Sequence, residues 1–173
     1  MSVKKNRQVA ALPWRLRGDV VEVLMVTTRA TKRWVIPKGW PMPGKADHDA
    51  AAQEAFEEAG VRGNINLKAL GQFRYNKLLA SAKSRTITVA TYDLAVTKEL
   101  DTWPEQEQRN RRWMSLGLAM QLASDKELVP LLLKFSERNR DEDQTPAKPT
   151  TWLRTTNVAQ CIWSWLRKKS GPR

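Results

Sequence analysis

Three glutamates near the middle of the chain, Glu54, Glu57 and Glu58, have a spacing that suits metal chemistry. At positions i, i+3 and i+4 they fall on one face of a helix, within an arc of roughly 100°. Like charges held this close repel one another unless a cation lies among them. Oxygen ligands favour Mg²⁺, Mn²⁺ or Ca²⁺ over zinc. A solvated acidic face is the alternative, so the surrounding residues have to decide between the two.

The glutamates belong to a predicted helix that follows a stiff loop. The loop, residues 38–46, contains two glycines and two prolines. An aspartate, Asp47 or Asp49, is available as the N-cap, and Gly60 follows the predicted last turn. The opposite face carries small residues and one phenylalanine, which allow close packing on a sheet: Ala51, Ala55, Phe56 and Ala59.

Residues 39–61 resemble the Nudix box, Gly-x5-Glu-x7-Arg-Glu-aliphatic-x-Glu-Glu-x-Gly-aliphatic. Both glycines and all three glutamates match, but Lys45 stands where the pattern has Glu, and Gln53 stands where it has Arg. The resemblance covers roughly residues 7–139. It implies an α/β (α+β) Nudix fold, an α/β/α sandwich with a mixed β-sheet in which a loop-helix-loop unit carries the box.

The resemblance also implies a hydrolase that cleaves phosphoanhydrides by attack of water at phosphorus. Divalent metal ions neutralise the phosphate charge and orient the water, and a carboxylate accepts its proton. Carried over residue by residue, Glu54 and Glu58 become metal ligands and Glu57 the candidate base. We expect Glu57 and Glu54 to be the catalytic residues. The expected ligands of Mg²⁺ (or Mn²⁺) are Glu54, Glu57, Glu58 and a backbone carbonyl at Lys38 or Gly39.

Two further segments, residues 33–37 and 109–113, resemble the diphosphoinositol polyphosphate phosphohydrolase branch of the family. That branch acts on inositol pyrophosphates and diadenosine polyphosphates, and grips their phosphates with basic side chains. Arginine suits this role because it donates bidentately and stays charged. The corresponding expected substrate-binding residues are Arg7, Arg29, Arg33, Lys38, Lys77, Lys83, Arg85 and Arg109.

The two departures from the box keep other functions open. Gln53 can form hydrogen bonds but carries no charge, while Lys45 could approach a substrate. One alternative is a pyrophosphatase that acts on nucleoside triphosphates, nucleotide sugars or RNA 5′ ends. Another is a weakened, non-catalytic Nudix module that binds polyanions.

Composition is consistent with a phosphate-rich partner. The 173 residues hold 30 Lys and Arg against 18 Asp and Glu, a formal net charge of +12. Such a charge favours a phosphate-rich metabolite, nucleic acid or an anionic membrane surface, and nucleic acid is not the favoured reading. A single cysteine, Cys161, excludes an internal disulfide. Because no signal peptide or transmembrane segment is recognisable, we expect a soluble, cytoplasmic protein.

We predict four segments: a flexible basic arm over 1–7, the Nudix domain over 8–139, a linker over 140–150 and a basic, Trp-rich amphipathic helix over 151–173. Such a helix docks on its own domain or on a second copy of the chain, which would give a homodimer, or else lies on a membrane or nucleic acid.

Hydrophobic patterning predicts the elements of the domain. The predicted strands are 9–15, 20–27, 33–37, 67–75, 85–96 and 109–114. The predicted helices, besides the box helix, are 116–123 and 125–138.

Overall fold

The computed structural model describes residues 6–78 and 84–144. Its strands are β1 (Arg7–Arg17), β2 (Val20–Thr27), β3 (Trp34–Val35), β4 (Lys38–Gly39), β5 (Val61–Ile65), β6 (Gly71–Leu78), β7 (Ser84–Glu99) and β8 (Arg111–Ser115). Its helices are α1 (Asp47–Ala59), α2 (Leu116–Leu122), a 3-10 turn (Lys126–Leu128) and α3 (Val129–Gln144).

All eight strands belong to one mixed sheet. The main path is β3-β2-β1-β7-β5, with β4 paired to β1, β6 to β7 and β8 to β2. The central pair, β1 and β7, is parallel, while the other pairs are antiparallel. The mixed sheet that the sequence predicts is therefore confirmed.

Alternation along β1 divides the core into two layers, because successive strand residues face opposite sides of a sheet. Val9 and Ala11 are buried on one side, with the alanines of α1. Ala10 and Leu12 are buried on the other, in a cluster that also contains residues of α2 and α3, including Phe135. Helices thus cover both faces, as an α/β/α sandwich requires.

The box helix ends as predicted but begins differently. Gly60 has φ of 64°, and its N–H bonds to the carbonyls of the last turn. The expected aspartate N-cap is wrong: the N-cap position is Ala46, without a side-chain bond. The carboxylate of Asp47 is paired with Arg7 instead. Asp47 and Asp49 both lie inside the first turn, where negative charge favours the helix dipole.

Other boundaries also differ from the predictions. β5 was not predicted, and β6 begins at Gly71 rather than at 67. Arg7, which the prediction assigns to the basic arm, belongs to β1. Residues 140–144, which the prediction assigns to the linker, belong to α3. The rest of the linker and the predicted helix 151–173 lie outside the described residues.

Among the described residues, no helix is both long enough and apolar enough to span a bilayer.

Candidate active site

The reaction centre that the sequence predicts lies where the short strand β4 meets α1. β4 pairs with β1, so that Gly39 lies opposite Val9. Gly39 is buried against the carboxylate of Glu54: a Cβ at this position would lie 2.5 Å from Oε2 of Glu54 and closer still to Oε1. Only glycine allows so close an approach between the loop and the helix.

Glu54 is the box glutamate whose carboxylate accepts no hydrogen bond from the described residues, in contrast to Glu57 and Glu58. Among the described residues it makes no ion pair and no side-chain hydrogen bond. Burial, together with the negative charges of Glu58 and Glu57, raises its pKa to about 7, and the charge of Arg109 opposes the shift. A carboxylate that is desolvated, unpaired and next to two others has the character of a cation ligand or a proton acceptor.

Glu58 is the most enclosed of the three glutamates, with 6% of its surface exposed. One oxygen accepts the backbone N–H of Lys38 at 3.2 Å, and the other accepts Nη2 of Arg109. Burial raises the pKa of Glu58, although Arg109 and Lys38 oppose the shift. Its orientation is therefore fixed from two sides.

Glu57 is held by one of the two residues that depart from the box pattern. Nε2 of Gln53 donates to Oε1 of Glu57 at 2.7 Å. Nζ of Lys45 in turn donates to Oε1 of Gln53 at 3.4 Å. The two unusual residues thus contact each other, and Gln53 orients a carboxylate through a neutral hydrogen bond.

The donor chemistry of this site fits a hard divalent cation, because its ligand atoms are all oxygens. Within the ranges 6–78 and 84–144, however, no three acidic, histidine or cysteine side chains already converge on one ion position. Two of the three glutamates accept hydrogen bonds from protein donors. The observations that favour a cation are the unpaired Glu54 and its close contact with Gly39.

The surroundings of Arg109 differ from those expected of a phosphate ligand. Its side chain is only 7% exposed, and each of its three nitrogens has a protein partner. Nε donates to Glu105 at 2.5 Å, Nη1 to the carbonyl of Thr27 at 3.0 Å, and Nη2 to Glu58. The guanidinium is thus directed into the protein.

Glu105 is a residue of this site that sequence reasoning missed. It lies in the turn between β7 and β8, and its N–H donates to the carbonyl of Glu57 at 3.1 Å. Its carboxylate binds Arg109, and its charge contributes to the raised pKa of Glu54. The acidic composition of residues 105–108 was the available signal, but spacing alone does not connect it to a helix about fifty residues earlier.

Arg7 also has a structural partner. Its guanidinium pairs with Asp47 and so joins the start of β1 to the first turn of α1, although 43% of its side chain remains exposed. A role in phosphate binding therefore requires Arg7 to share its charge with Asp47.

A basic turn, residues 28–33, borders the site on one side. The side chain of Arg29 is 60% exposed, and its Nη1 lies 3.8 Å from Glu105. Lys32 has φ of 49°, and its Nζ donates to the carbonyl of Gln108 at 2.8 Å. Nε of Arg33 donates to Thr31 at 3.1 Å. These bonds hold the turn against the segment that contains Glu105 and Arg109.

On the other side, lysines lie against aromatic rings. Lys38 Nζ is 5.5 Å from the ring centre of Tyr75, and burial lowers its pKa while Glu58 and Asp125 oppose the shift. Lys77 Nζ is 5.2 Å from the ring centre of Trp40, an indole that is 41% exposed.

Arg85 and Asp125 also bear on this side of the site. Arg85 lies opposite Lys77 in the β6–β7 pair. Lys83 is outside the described residues. Asp125 was not predicted; burial raises its pKa, and the charges of Lys38 and Arg33 oppose the shift.

A separate groove of about 510 Å³ lies between α1 and the strands β5 and β7. Its lining includes Gln53, Phe56 and Arg62, whose guanidinium lies 4.6 Å from the ring centre of Phe56. None of the three box glutamates lines it, so this groove is not the reaction centre.

Comparison with known proteins agrees with the geometry. The NUDIX domain model matches residues 4–135. "Nudix hydrolase 16, mitochondrial" of Arabidopsis thaliana is 36% identical over 107 residues, which span 60% of this chain and 59% of that protein. The chain thus matches about three fifths of that relative's length.

Two other similarities bear on family and fold. "Diphosphoinositol polyphosphate phosphohydrolase 3-beta" of Bos taurus is 31% identical over 119 residues, 68% of each chain. A solved structure of a C. elegans Ap4A hydrolase binary complex has a TM-score of 0.60 at 22% identity, covering 78% of this chain and 98% of that one. The second similarity concerns the fold alone. With the family model matched over most of its length, the chain belongs to the Nudix family of hydrolases.

Proposed function

We propose that this Nudix hydrolase cleaves phosphoanhydride bonds in phosphate-rich small molecules, inositol pyrophosphates or diadenosine polyphosphates, with Mg²⁺ or Mn²⁺. The observation that carries the proposal is the contact between Gly39 and the unpaired carboxylate of Glu54, beside Glu57 and Glu58 on the same helix. The family's general use of divalent cations and phosphate-rich substrates supports it.

The proposed ligands of the cation are the carboxylates of Glu54, Glu57 and Glu58 and the carbonyl of Gly39. When bound, the cation supplies positive charge against the phosphates and orients the attacking water. Glu57 accepts the proton of that water, and Gln53 holds it in orientation for this step. Glu54 is the second proposed catalytic carboxylate; its pKa is raised to about 7 in the metal-free protein, and a bound cation would stabilise its charged form.

The proposed substrate class follows from the charge around this centre. Arg29, Arg33, Lys77 and Arg85, with Lys38 deeper in the site, border it from both sides, so a chain of phosphates would meet cations in either direction. The name of the Bos taurus relative supports inositol pyrophosphates. Arg7 and Lys83 remain proposed contributors.

The exposed indole of Trp40 favours a substrate with an aromatic base, and hence diadenosine polyphosphates. It lies beside the ammonium of Lys77, so that a stacked base and its phosphates would meet one aromatic face and one cation. An inositol ring has no π face to stack. Trp40→Ala should therefore raise KM for diadenosine hexaphosphate several-fold and leave KM for diphosphoinositol pentakisphosphate unchanged.

The proposal is tested by a metal-dependent substrate panel on the full chain. The panel contains diphosphoinositol pentakisphosphate, diadenosine hexaphosphate, nucleoside triphosphates, nucleotide sugars and 5′-triphosphorylated or capped RNA. Glu57→Gln and Glu58→Gln should abolish turnover, whereas Glu137→Gln, an exposed glutamate of α3, should not. Turnover that survives both box substitutions would refute the assignment.

The same panel decides between the alternatives. Faster turnover of nucleoside triphosphates, nucleotide sugars or RNA than of the first two compounds would replace the proposed substrate class. Salt-sensitive binding of these polyanions without hydrolysis, at any concentration of Mg²⁺ or Mn²⁺, would favour the polyanion-binding module. The contacts of Gln53 with Lys45 and Glu57 favour the hydrolase over the non-catalytic module, because Glu57 keeps an orienting partner.

Three expectations remain proposals that rest on residues or properties beyond the described domain. They are a homodimer formed through residues 151–173, a cytoplasmic location and a partner other than nucleic acid, which is possible but not favoured. Sedimentation of the full chain and of a chain that ends at residue 144 tests the first directly.

A further inference from the structure

The guanidinium of Arg109, a residue outside the box, is buried and binds one of the box glutamates. Nη2 of Arg109 pairs with Oε1 of Glu58, and both side chains are 7% exposed. Within the described residues, this is the only ion pair that Glu54, Glu57 or Glu58 makes. The cation that pairs with Glu58 therefore comes from the residues just before β8, and not from α1 itself.

The partners of Arg109 belong to three separate segments. Besides Glu58 of α1, they are Glu105 of the β7–β8 turn and the carbonyl of Thr27 at the end of β2. A planar guanidinium with all three nitrogens engaged has little freedom to rotate, and lysine could not reproduce this fork of donors. Arg109 is thus a rigid connection between α1 and the elements beside it.

Gln53, which stands where the box pattern has arginine, does not hold Glu58. Its amide donates to Glu57, and nothing in its geometry reaches Glu58. Glu58 has instead the N–H of Lys38 on one oxygen and Arg109 on the other. Without Arg109, a buried carboxylate would keep only one donor and would lose its counter-ion.

We propose that Arg109 is a positioning residue for the hydrolysis: it fixes the orientation of Glu58 and does not grip the substrate. The inference rests on the proposed function. It also connects the reaction centre to the basic turn 28–33, because Glu105, which binds Nε of Arg109, lies 3.8 Å from Nη1 of Arg29. A shift of the basic turn would thus be transmitted to Glu58 through three successive ion pairs: Arg29–Glu105, Glu105–Arg109 and Arg109–Glu58.

The test compares Arg109→Gln and Arg109→Lys with Arg112→Gln, a matched control on an exposed arginine three residues later. With the best substrate of the panel, Arg109→Gln should lower kcat by about 100-fold, the cost of a misplaced catalytic group, and change KM by less than about 3-fold. Arg109→Lys should recover part of kcat, since it restores charge without the fork. Arg112→Gln should match the wild type.

A second readout does not depend on turnover. In thermal unfolding, Arg109→Gln should lower Tm much less in a Glu58→Gln background than in the wild type, because the pair is already broken there. If Arg109→Gln does not fold, the lysine variant carries both measurements.

Two results would overturn the inference. A large rise in KM with kcat preserved would make Arg109 a substrate ligand, and a loss of Tm with full kcat would make it structural only. Failure of the proposed function is distinct, because the wild type itself would then turn over no compound of the panel.

Discussion

Gly39→Ala should strongly lower the activity of this protein while leaving its stability almost unchanged. The added methyl group would lie 2.5 Å from Oε2 of Glu54, whereas Cβ atoms in proteins keep at least 3.0 Å. The obstructing atoms are the end of one side chain, so Glu54 can rotate away without a change in the backbone. The backbone at Gly39 does not have a positive φ, so alanine is also compatible with its conformation.

The two effects of this substitution differ in size. Alanine reduces the freedom of the unfolded chain, which stabilises by about 0.4–1 kcal/mol and offsets the rearrangement of Glu54. The free energy of unfolding should therefore stay within about 1 kcal/mol of the wild type, or about 2–4 °C in Tm. Activity should fall by about 100-fold or more, because Glu54 is displaced from the place where the loop and helix meet.

Gly63→Ala is the matched control. Its Cβ would lie 2.8 Å from the carbonyl carbon of Ala95, and closer to the carbonyl oxygen, so the backbone of β5 or β7 has to move. We expect a loss of about 1–3 kcal/mol, with kcat preserved in the folded fraction. Thermal unfolding and metal-dependent turnover of both variants check the pair. Wild-type kcat in Gly39→Ala, or a stability loss as large as that of Gly63→Ala, would refute the reasoning.

Three other predictions follow from contacts described above. The pKa of Glu54, about 7 when folded and 4.5 as the ordinary value, means that the folded state binds more protons between these pH values. The stability of the metal-free protein should therefore fall as pH rises through this window, and Mg²⁺ should reverse the loss at pH 7 in thermal unfolding; a flat pH profile would contradict this. Arg111→Ala should cost about 2–3 kcal/mol in denaturant unfolding, because the guanidinium donates to the carbonyls of Ala59 and Leu100 and stacks 4.0 Å from the ring centre of Trp103; Arg112→Ala should cost less than about 0.5 kcal/mol. Phe135→Ala should cost about 3–5 kcal/mol without changing KM, since the ring is fully buried away from the box.

Features encoded over short distances along the chain were predictable from the sequence. The spacing of the three glutamates and Gly60 predicted α1, its end and its charged face, and apolar runs predicted β1, β2 and β7. These signals are local, because helix and strand periodicities repeat within a few residues. The fold class followed from the resemblance that the box residues carry, and it is confirmed.

Features that depend on distant partners were not predictable in this way. Asp47 looked like an N-cap, but Arg7, forty residues earlier, binds its carboxylate. Arg109 was expected to bind the phosphates of the substrate, yet it is buried between Glu58 and Glu105. The strand Val61–Ile65 was missed because only its two end residues are apolar and it contains a glycine; its pairing with β7, far along the chain, stabilises it.

The parallel pairing of β1 with β7 has a consequence for how the protein is made. Arg7 lies beside Thr88, and the register continues to Trp14 beside Ala95. A ribosome therefore releases the whole box well before the strand that completes the sheet beneath it. The helix can form in the nascent chain, but its alanine face meets residues of β7, such as Ala90 and Leu94, only after synthesis has passed them. The support of the acidic face thus depends on contacts of long sequence separation, which form more slowly than local ones.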